Sequence, residues 1–188
     1  SAMLRPSSVQ LCKAKLTVYS VFNTVCDSLI KAVMPHGQLR PHTARRVAQH
    51  SAAAEDAGAD YIMVTCSSIG AAVENAAGFA SVPVLRVDQP LADHAITSAC
   101  RIGVIATLPT TLQPTADLLR RRAVIAGKQI ELTTRLCEGA FDALMRGDSE
   151  THDSMVGAAL RELSSQVDVI ALAQASMARV VAGLPEAD

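Results

Sequence analysis

The residue best placed for chemistry in this 188-residue chain is Cys66. An apolar run at residues 60–65 (DYIMVT) ends at this cysteine, and a helical pattern begins soon after it. In parallel α/β sheets, ligands bind beyond the carboxyl ends of the strands, and backbone N–H groups at a helix start stabilise a thiolate. Cys66 is therefore predicted to be a nucleophile or an acid/base group. The alternative is a small buried residue at a strand end.

The remaining thiols and imidazoles predict neither a disulfide framework nor a metal site. The cysteines are odd in number, widely spaced and never in a C-x-x-C pair: Cys12, Cys26, Cys66, Cys100 and Cys137. The five histidines are equally dispersed, and none has ligand spacing with another histidine or with a cysteine. Reduced thiols in a reducing compartment are expected.

The composition argues against nucleic acid and membranes as partners. The net charge is −1 and acidic and basic residues are interspersed, so no basic surface for nucleic acid or an anionic membrane is expected. No apolar run reaches the ~18 residues that a spanning helix needs. We therefore expect a cytoplasmic protein, and the charge itself indicates no class of partner.

The elements that would position Cys66 follow an α/β pattern. Short runs rich in Val and Ile predict strands at residues 61–64, 82–87, 101–106, 129–133 and 167–172. Between them, apolar spacing predicts helices at residues 41–57, 68–77, 90–99, 112–126, 139–145 and 148–165. This alternation indicates parallel βαβ units with right-handed crossovers.

An internal repeat gives Cys66 a counterpart. Residues 60–70 align with residues 168–178, which matches Asp60 with Asp168 and Ser68 with Ser176. Cys66 then falls opposite Gln174. A duplicated half-domain would supply one reactive position from each copy. The alternative is that two buried strands before helices look alike by chance over so few residues.

Hydroxyl residues at the predicted strand ends are candidate ligands for an anion. Residues 107–111 (TLPTT) form a predicted turn before a helix, where exposed N–H groups favour a negative charge. The candidates are Thr107, Thr110 and Thr111 in this turn, and Ser67 and Ser68 beside Cys66. Helix capping is the alternative role for Thr110 or Thr111, and also for Ser176.

These segments resemble the aspartate/glutamate/hydantoin racemase superfamily, which also includes maleate isomerases and arylmalonate decarboxylase. The matching pieces are residues 58–70, residues 105–111 and residues 168–177. Asp27, Ser28 and Leu29 also look like a family segment, with Cys26 where another acid is common. The resemblance runs from about residue 21 to residue 184.

The resemblance implies an α/β protein of two pseudo-symmetric α/β/α lobes, each with a small parallel sheet, and an active site in the cleft between them. We expect residues 3–95 in the first lobe and 96–182 in the second, with a return of residues 183–188 to the first lobe as a further option. Family members use no metal, pyridoxal phosphate or nucleotide, so no cofactor is expected. A homo-oligomer is the expected assembly.

The resemblance also implies one catalytic cysteine per lobe, but here the second position is Gln174. A primary amide neither accepts nor supplies a proton usefully near neutral pH. Cys66 is thus the single catalytic residue of the matched motifs, with Gln174 and Ser176 as substrate-binding candidates. The resemblance implies thiol-mediated proton transfer at the carbon next to a carboxylate or carbonyl of a small-molecule substrate, as in an Asp/Glu or hydantoin racemase. The alternatives are a decarboxylase, a cis/trans isomerase or an inactive carboxylate-binding homologue.

Overall fold

The computed structural model describes residues 5–16, 19–34 and 38–183. The chain forms two compact units, residues 1–85 and residues 86–188. Across the described residues, no helix is both long enough and apolar enough to cross a bilayer.

Unit 1 consists of helices around two short strands. Its elements are α1 (Arg5–Lys15), α2 (Asp27–Val33), α3 (Pro41–Asp56), β1 (Ile62–Val64), a 3-10 turn (Ser67–Ile69), α4 (Gly70–Ala77) and β2 (Val84–Arg86). Strand β2 pairs with β1, and its last residue, Arg86, is the first residue of unit 2. The core of this unit, called the unit 1 cluster, consists of Leu29, Val33, Val47, Ile69, Ala72, Val73 and Ala76.

Unit 2 is built on a three-stranded parallel sheet in the order β4-β3-β5. Its elements are α5 (Gln89–Ser98), β3 (Arg101–Ala106), α6 (Pro109–Ile125), β4 (Glu131–Leu136), α7 (Ala140–Met145), α8 (Ser149–Ser164), β5 (Val169–Leu172), a second 3-10 turn (Ala175–Met177) and α9 (Ala178–Ala182). In the register of the sheet, Val104 lies opposite Thr134 on β4 and Ala171 on β5.

The central strand β3 carries the core of unit 2 on both of its faces. Ile102, Val104 and Ile105 are each 0% exposed. Because side chains alternate along a strand, Ile102 and Val104 pack with the α5 and α6 side chains, whereas Ile105 packs with those of α8. Helices therefore cover both faces of the sheet, as expected for a parallel α/β arrangement.

The predicted α/β class with a small parallel sheet is confirmed. The strand predicted at residues 101–106 is β3 with the same limits. Helix α6 begins earlier than predicted, at Pro109 rather than at residue 112, because proline fits the first helical position, where no N–H is needed. Strand β4 covers residues 131–136 rather than 129–133. Helices α1 and α2 were not predicted.

The expected lobe limit between residues 95 and 96 falls inside α5. The buried face of that helix, Ala92, Ala95 and Ile96, belongs to the core of unit 2. The lobe limits of 3–95 and 96–182 stay a prediction, and of the return segment 183–188 all but Gly183 lies outside the described residues.

Candidate active site

Cys66 lies between a strand and a helix, as its sequence context indicated. Strand β1 ends at Val64, and Cys66 then occupies the N-cap position of the 3-10 turn with an extended backbone, φ −136° and ψ 107°. Ile69 N–H donates to the Cys66 carbonyl oxygen at 3.4 Å, and α4 begins at Gly70. We call residues 66–69 the Cys66 turn.

The thiol of Cys66 is half-buried against the unit 1 cluster. Its side chain makes no capping hydrogen bond to the turn, so its sulfur is not committed to stabilising that turn. Of the two candidate ligands beside it, Ser68 is buried and Ser67 is half-buried. The Cys66 turn therefore presents a thiol and hydroxyl groups at one strand end.

Gln174 occupies the same backbone position in unit 2. It is the N-cap residue of the second 3-10 turn, with φ −141° and ψ 135°, and Met177 N–H donates to its carbonyl oxygen at 3.2 Å. In each copy a strand ends two residues before the cap, a 3-10 turn takes the next three residues, and a helix follows at once. The predicted repeat is thus present in the backbone. We call residues 174–177 the Gln174 turn.

The Gln174 side chain binds Thr107 at the end of the neighbouring strand β3. Its Oε1 accepts from the Thr107 N–H at 2.6 Å and from the Thr107 hydroxyl at 3.0 Å. Because a backbone N–H requires an acceptor, this contact fixes which amide atom is the oxygen and directs the Nε2 donor elsewhere. The structure therefore brings Thr107 and Gln174 together, but Gln174 engages the Thr107 donors.

Thr110 and Thr111 lie within the first turn of α6 and not in a loop before it. The N-cap residue is Leu108, so the capping role considered for these threonines does not apply. Thr110 is 5% exposed, and its hydroxyl oxygen has no hydrogen-bond partner among the described residues. Buried hydroxyls are usually paired, and an unpaired one costs about 1–3 kcal/mol, so Thr110 is a credible ligand position.

Ser176 is half-buried inside the Gln174 turn. Helix α9 follows with Met177 at its N-cap, so Ser176 is not the capping residue of that helix.

Unit 2 contains two thiols, of which Cys100 is exposed and Cys137 is buried. Burial raises the pKa of the Cys137 thiol, which keeps it protonated and unreactive.

Sequence reasoning missed one group of polar side chains in unit 1. Arg46 on α3 donates from Nη2 to the Cys26 sulfur at 3.1 Å and to the Ser28 hydroxyl at 2.6 Å. The hydrogen bond with Ser28 lowers the pKa of Cys26 most, followed by a backbone hydrogen bond from Leu29 and the charge of Arg46, against the opposing effect of burial. The Cys26 and Ser28 segment was visible in the sequence, but no local pattern links it to Arg46.

Within the part of the chain that the structure describes, no group of three or more His, Cys, Asp or Glu side chains is placed to hold a metal ion. The polar groups at both strand ends are instead hydroxyls, amides and a thiol. Such groups suit an organic anion, which accepts hydrogen bonds from N–H and O–H donors.

Glutamate racemases are among the solved structures with a similar fold. The isoform RacE1 from Bacillus anthracis is 20% identical with a TM-score of 0.56, over 79% of this chain and 57% of that one. The enzyme from Francisella tularensis subsp. tularensis, in complex with D-glutamate, is 18% identical with a TM-score of 0.57, over 80% and 61%. The Aquifex pyrophilus enzyme is 20% identical with a TM-score of 0.52, over 81% and 64%.

These three matches cover less than two thirds of each racemase's own chain. A search of curated proteins found no match to this sequence. A family model described as Asp/Glu/Hydantoin racemase matches residues 7–187, nearly the whole chain. The chain therefore belongs to the Asp/Glu/hydantoin racemase family.

Proposed function

We propose that this protein is a cofactor-independent isomerase that moves a proton at the carbon next to a carboxylate, with Cys66 as acid/base group. The observation that carries the proposal is the Cys66 turn, where a half-buried thiol lies at the end of a strand. The backbone of this turn recurs at Gln174 in unit 2. Membership of a racemase family agrees with this chemistry. A structural neighbour bound to D-glutamate suggests a small amino acid or a related carboxylate as substrate.

In the proposed reaction, the Cys66 thiolate takes the proton from the substrate α-carbon. The electron pair of the broken C–H bond stays on that carbon and delocalises into the adjacent carboxylate or carbonyl group. A solvent water that gives its proton to the opposite face of the carbanion inverts the centre, and the hydroxide left behind takes the proton from the Cys66 thiol and restores the thiolate. General acid–base catalysis of this kind contributes typically 10²–10⁴-fold in rate.

The substrate carboxylate is proposed to bind hydroxyl and amide donors rather than a metal ion. The proposed ligands are Ser67, Ser68, Thr110, Thr111, Gln174 and Ser176, and Thr107, whose N–H and hydroxyl both donate to Gln174, is proposed to orient that side chain. Gln174 has a particular role in this scheme, because Thr107 occupies its Oε1 and leaves its Nε2 donor to bind a carboxylate oxygen. The buried Thr110 hydroxyl has no partner among the described residues, and a ligand would supply one.

One observation supports a second candidate function. Gln174 stands at the backbone position equivalent to Cys66, and its amide cannot transfer a proton. A protein with this pair could bind a carboxylate without turning it over. Carboxylate binding without catalysis is therefore the competing hypothesis.

Proton exchange separates these two functions. The purified chain is incubated in deuterated water with D- and L-glutamate, D- and L-aspartate and 5-substituted hydantoins, and deuterium at the α-carbon is followed by NMR. We expect exchange with at least one compound and its loss in Cys66→Ala. Cys100→Ala, which removes an exposed thiol, is the matched control and should exchange as the unmodified chain does.

Two results would count against the isomerase. Exchange that persists unchanged in Cys66→Ala would remove the thiol from the mechanism. Thermal stabilisation by a carboxylate, without exchange of any compound, would show the binding protein instead.

A further inference from the structure

Strand β4 forms an open edge of the unit 2 sheet, whose order is β4-β3-β5. The Glu131 N–H donates to the Cys100 carbonyl oxygen at 2.8 Å. In a parallel ladder this residue and every second one after it turn their N–H and C=O groups toward the neighbouring strand. The intervening residues turn theirs outward, and these are Leu132, Thr134 and Leu136. Their outward groups have no hydrogen bond among the described residues.

The side chains at this edge are accessible as well. Thr134 and Arg135 are exposed, whereas every residue of the other edge strand, β5, is buried or half-buried. An unpaired edge strand is a template for pairing with another chain, and charged side chains on it oppose most such pairings. The charges on β4 therefore decide which strand it can accept.

Strand β4 carries one acid and one base, placed symmetrically about Thr133. Glu131 lies two residues before Thr133, and Arg135 lies two residues after it. In the register of the sheet, Glu131 lies opposite Arg101 on β3, but Arg101 binds Asp168. The exposed Glu131 carboxylate makes no hydrogen bond or ion pair among the described residues. Glu131 thus leaves an acceptor for a base from outside the chain.

Arg135 has donors for a second carboxylate. Its Nη2 donates to Glu162 on α8 at 2.7 Å, and the two side chains are 51% and 52% exposed. A guanidinium carries five N–H donors in a planar fork, so the contact with Glu162 leaves other donors available. Arg135 can therefore bind Glu162 of its own chain and a carboxylate of another chain together.

We infer that β4 pairs in antiparallel fashion with β4 of a second copy of this chain, about a two-fold axis at Thr133. In this register Leu132 of one copy lies opposite Thr134 of the other, and each such pair exchanges two hydrogen bonds between outward-facing groups. Glu131 lies opposite Arg135 of the other copy, in a non-hydrogen-bonded pair, where side chains approach closest. The two-fold axis forms this ion pair twice.

The charges select this register over its neighbours. A shift by two residues keeps the outward groups paired, but it places Thr133 of the other copy opposite Glu131 or Arg135, so both ion pairs are lost. A parallel arrangement would bring like charges together. The inferred pairing extends the sheet across both copies, in the order β5-β3-β4-β4-β3-β5, and mixed sheets of this kind are common. It does not depend on the proposed activity.

Sedimentation velocity of the full chain tests the pairing. One short strand from each copy makes a small interface, so we expect a dimer that dissociates in the range of about 1–200 µM. Glu131→Arg turns both ion pairs into like-charge contacts and should weaken the dimer about tenfold or more. Glu131→Arg combined with Arg135→Glu restores opposite charges and should return the Kd to within about threefold of the unmodified value.

Asp56→Arg is the matched control, because it makes the same change in charge at an exposed residue of α3 in unit 1. It should leave the Kd unchanged, and thermal melts establish that each variant is folded. A chain that stays monomeric over the whole range would overturn the inference. So would a dimer whose Kd is the same in Glu131→Arg, or a folded double variant as weak as the single one.

Disulfide cross-linking tests the register. The two copies of Thr133 face each other with Cα atoms about 4.5 Å apart, within the separation of about 4.4–6.8 Å that a disulfide spans. Thr133→Cys should therefore form a cross-linked dimer under mild oxidation. Thr134→Cys is the control, since its counterpart lies diagonally, about 7–8 Å away. Mass spectrometry of the linked peptides separates these bonds from any formed by the native cysteines, and cross-linking at Thr134 alone would overturn the register.

Discussion

At the scale of residues, two equivalent backbone positions, one in each unit, carry side chains with different chemistry. Cys66 and Gln174 share an extended cap conformation, a 3-10 turn and a following helix. A thiol is a group that can give or take a proton in a reaction, whereas a primary amide can only donate and accept hydrogen bonds. We accordingly propose Gln174 as a binding group, whose Oε1 accepts from Thr107.

Gln174→Glu tests this role with little change of shape. The carboxylate can still accept from Thr107, so the melting temperature should stay close to that of the unmodified chain. It cannot donate, and it repels a substrate carboxylate. We expect carboxylate binding to weaken by about ten- to a hundredfold in a calorimetric titration. Unchanged affinity would exclude Gln174 as a ligand.

Thr110→Val tests the unpaired hydroxyl. The change removes a buried group without a partner among the described residues, so stability should be equal or higher by about 1 kcal/mol while carboxylate binding weakens. Thr115→Val is the matched control, because the buried Thr115 hydroxyl donates to the Thr111 carbonyl oxygen at 2.9 Å. The control should lose about 1 kcal/mol of stability. Denaturant titration and calorimetry give both quantities.

At the scale of elements, the sequence predicted the limits of a strand correctly where burial of apolar side chains alone determines them. Strand β3 is apolar on both faces, so its limits were predicted correctly. The start of α6 was missed because residues 107–111 were assigned to a turn, although Pro109 begins the helix. The contact between Arg46 and Cys26 was missed because the two residues lie 20 positions apart along the chain. Such a pairing depends on how α2 packs on α3.

Close packing of α8 on β3 predicts the effect of a single methyl group. A Cβ added at Gly103 would lie 2.5 Å from Leu163 Cδ2 and 3.0 Å from Val167 Cγ2, both in buried residues. Gly103→Ala should therefore lower the free energy of unfolding by about 1–3 kcal/mol. Gly157→Ala is the control within α8, where the added atom makes ordinary contacts and helix propensity favours alanine. Equal stability of the two variants in denaturant titration would contradict this packing.

At the scale of the whole molecule, the chain has an α/β fold and belongs to the Asp/Glu/hydantoin racemase family. The chain matches the family model over residues 7–187 and spans about three fifths of the length of the racemases it resembles. Its electrostatics are those of a protein with a net charge of −1 and scattered ion pairs. The carboxyl groups in two of these ion pairs make the free energy of unfolding depend on pH.

The free energy of unfolding should fall as the solution is acidified. Hydrogen bonds from Arg179 hold the pKa of Asp153 below its usual value, and those from Arg101 do the same for Asp168. Carboxyl groups with a lowered pKa in the folded state stabilise it above their unfolded pKa of about 4, and this contribution is lost as the pH falls through the folded values. Chemical denaturation between pH 7 and pH 3 measures the change. Stability that rises toward pH 3 would contradict these contacts.

The role of Cys66 is tested most directly by the initial rate of α-deuterium incorporation into a racemase substrate, compared between the unmodified chain and Cys66→Ala. We predict measurable incorporation by the unmodified chain, matched by Cys100→Ala, and none above background in Cys66→Ala. Incorporation by Cys66→Ala at the unmodified rate would contradict the assignment of Cys66 as the acid/base group.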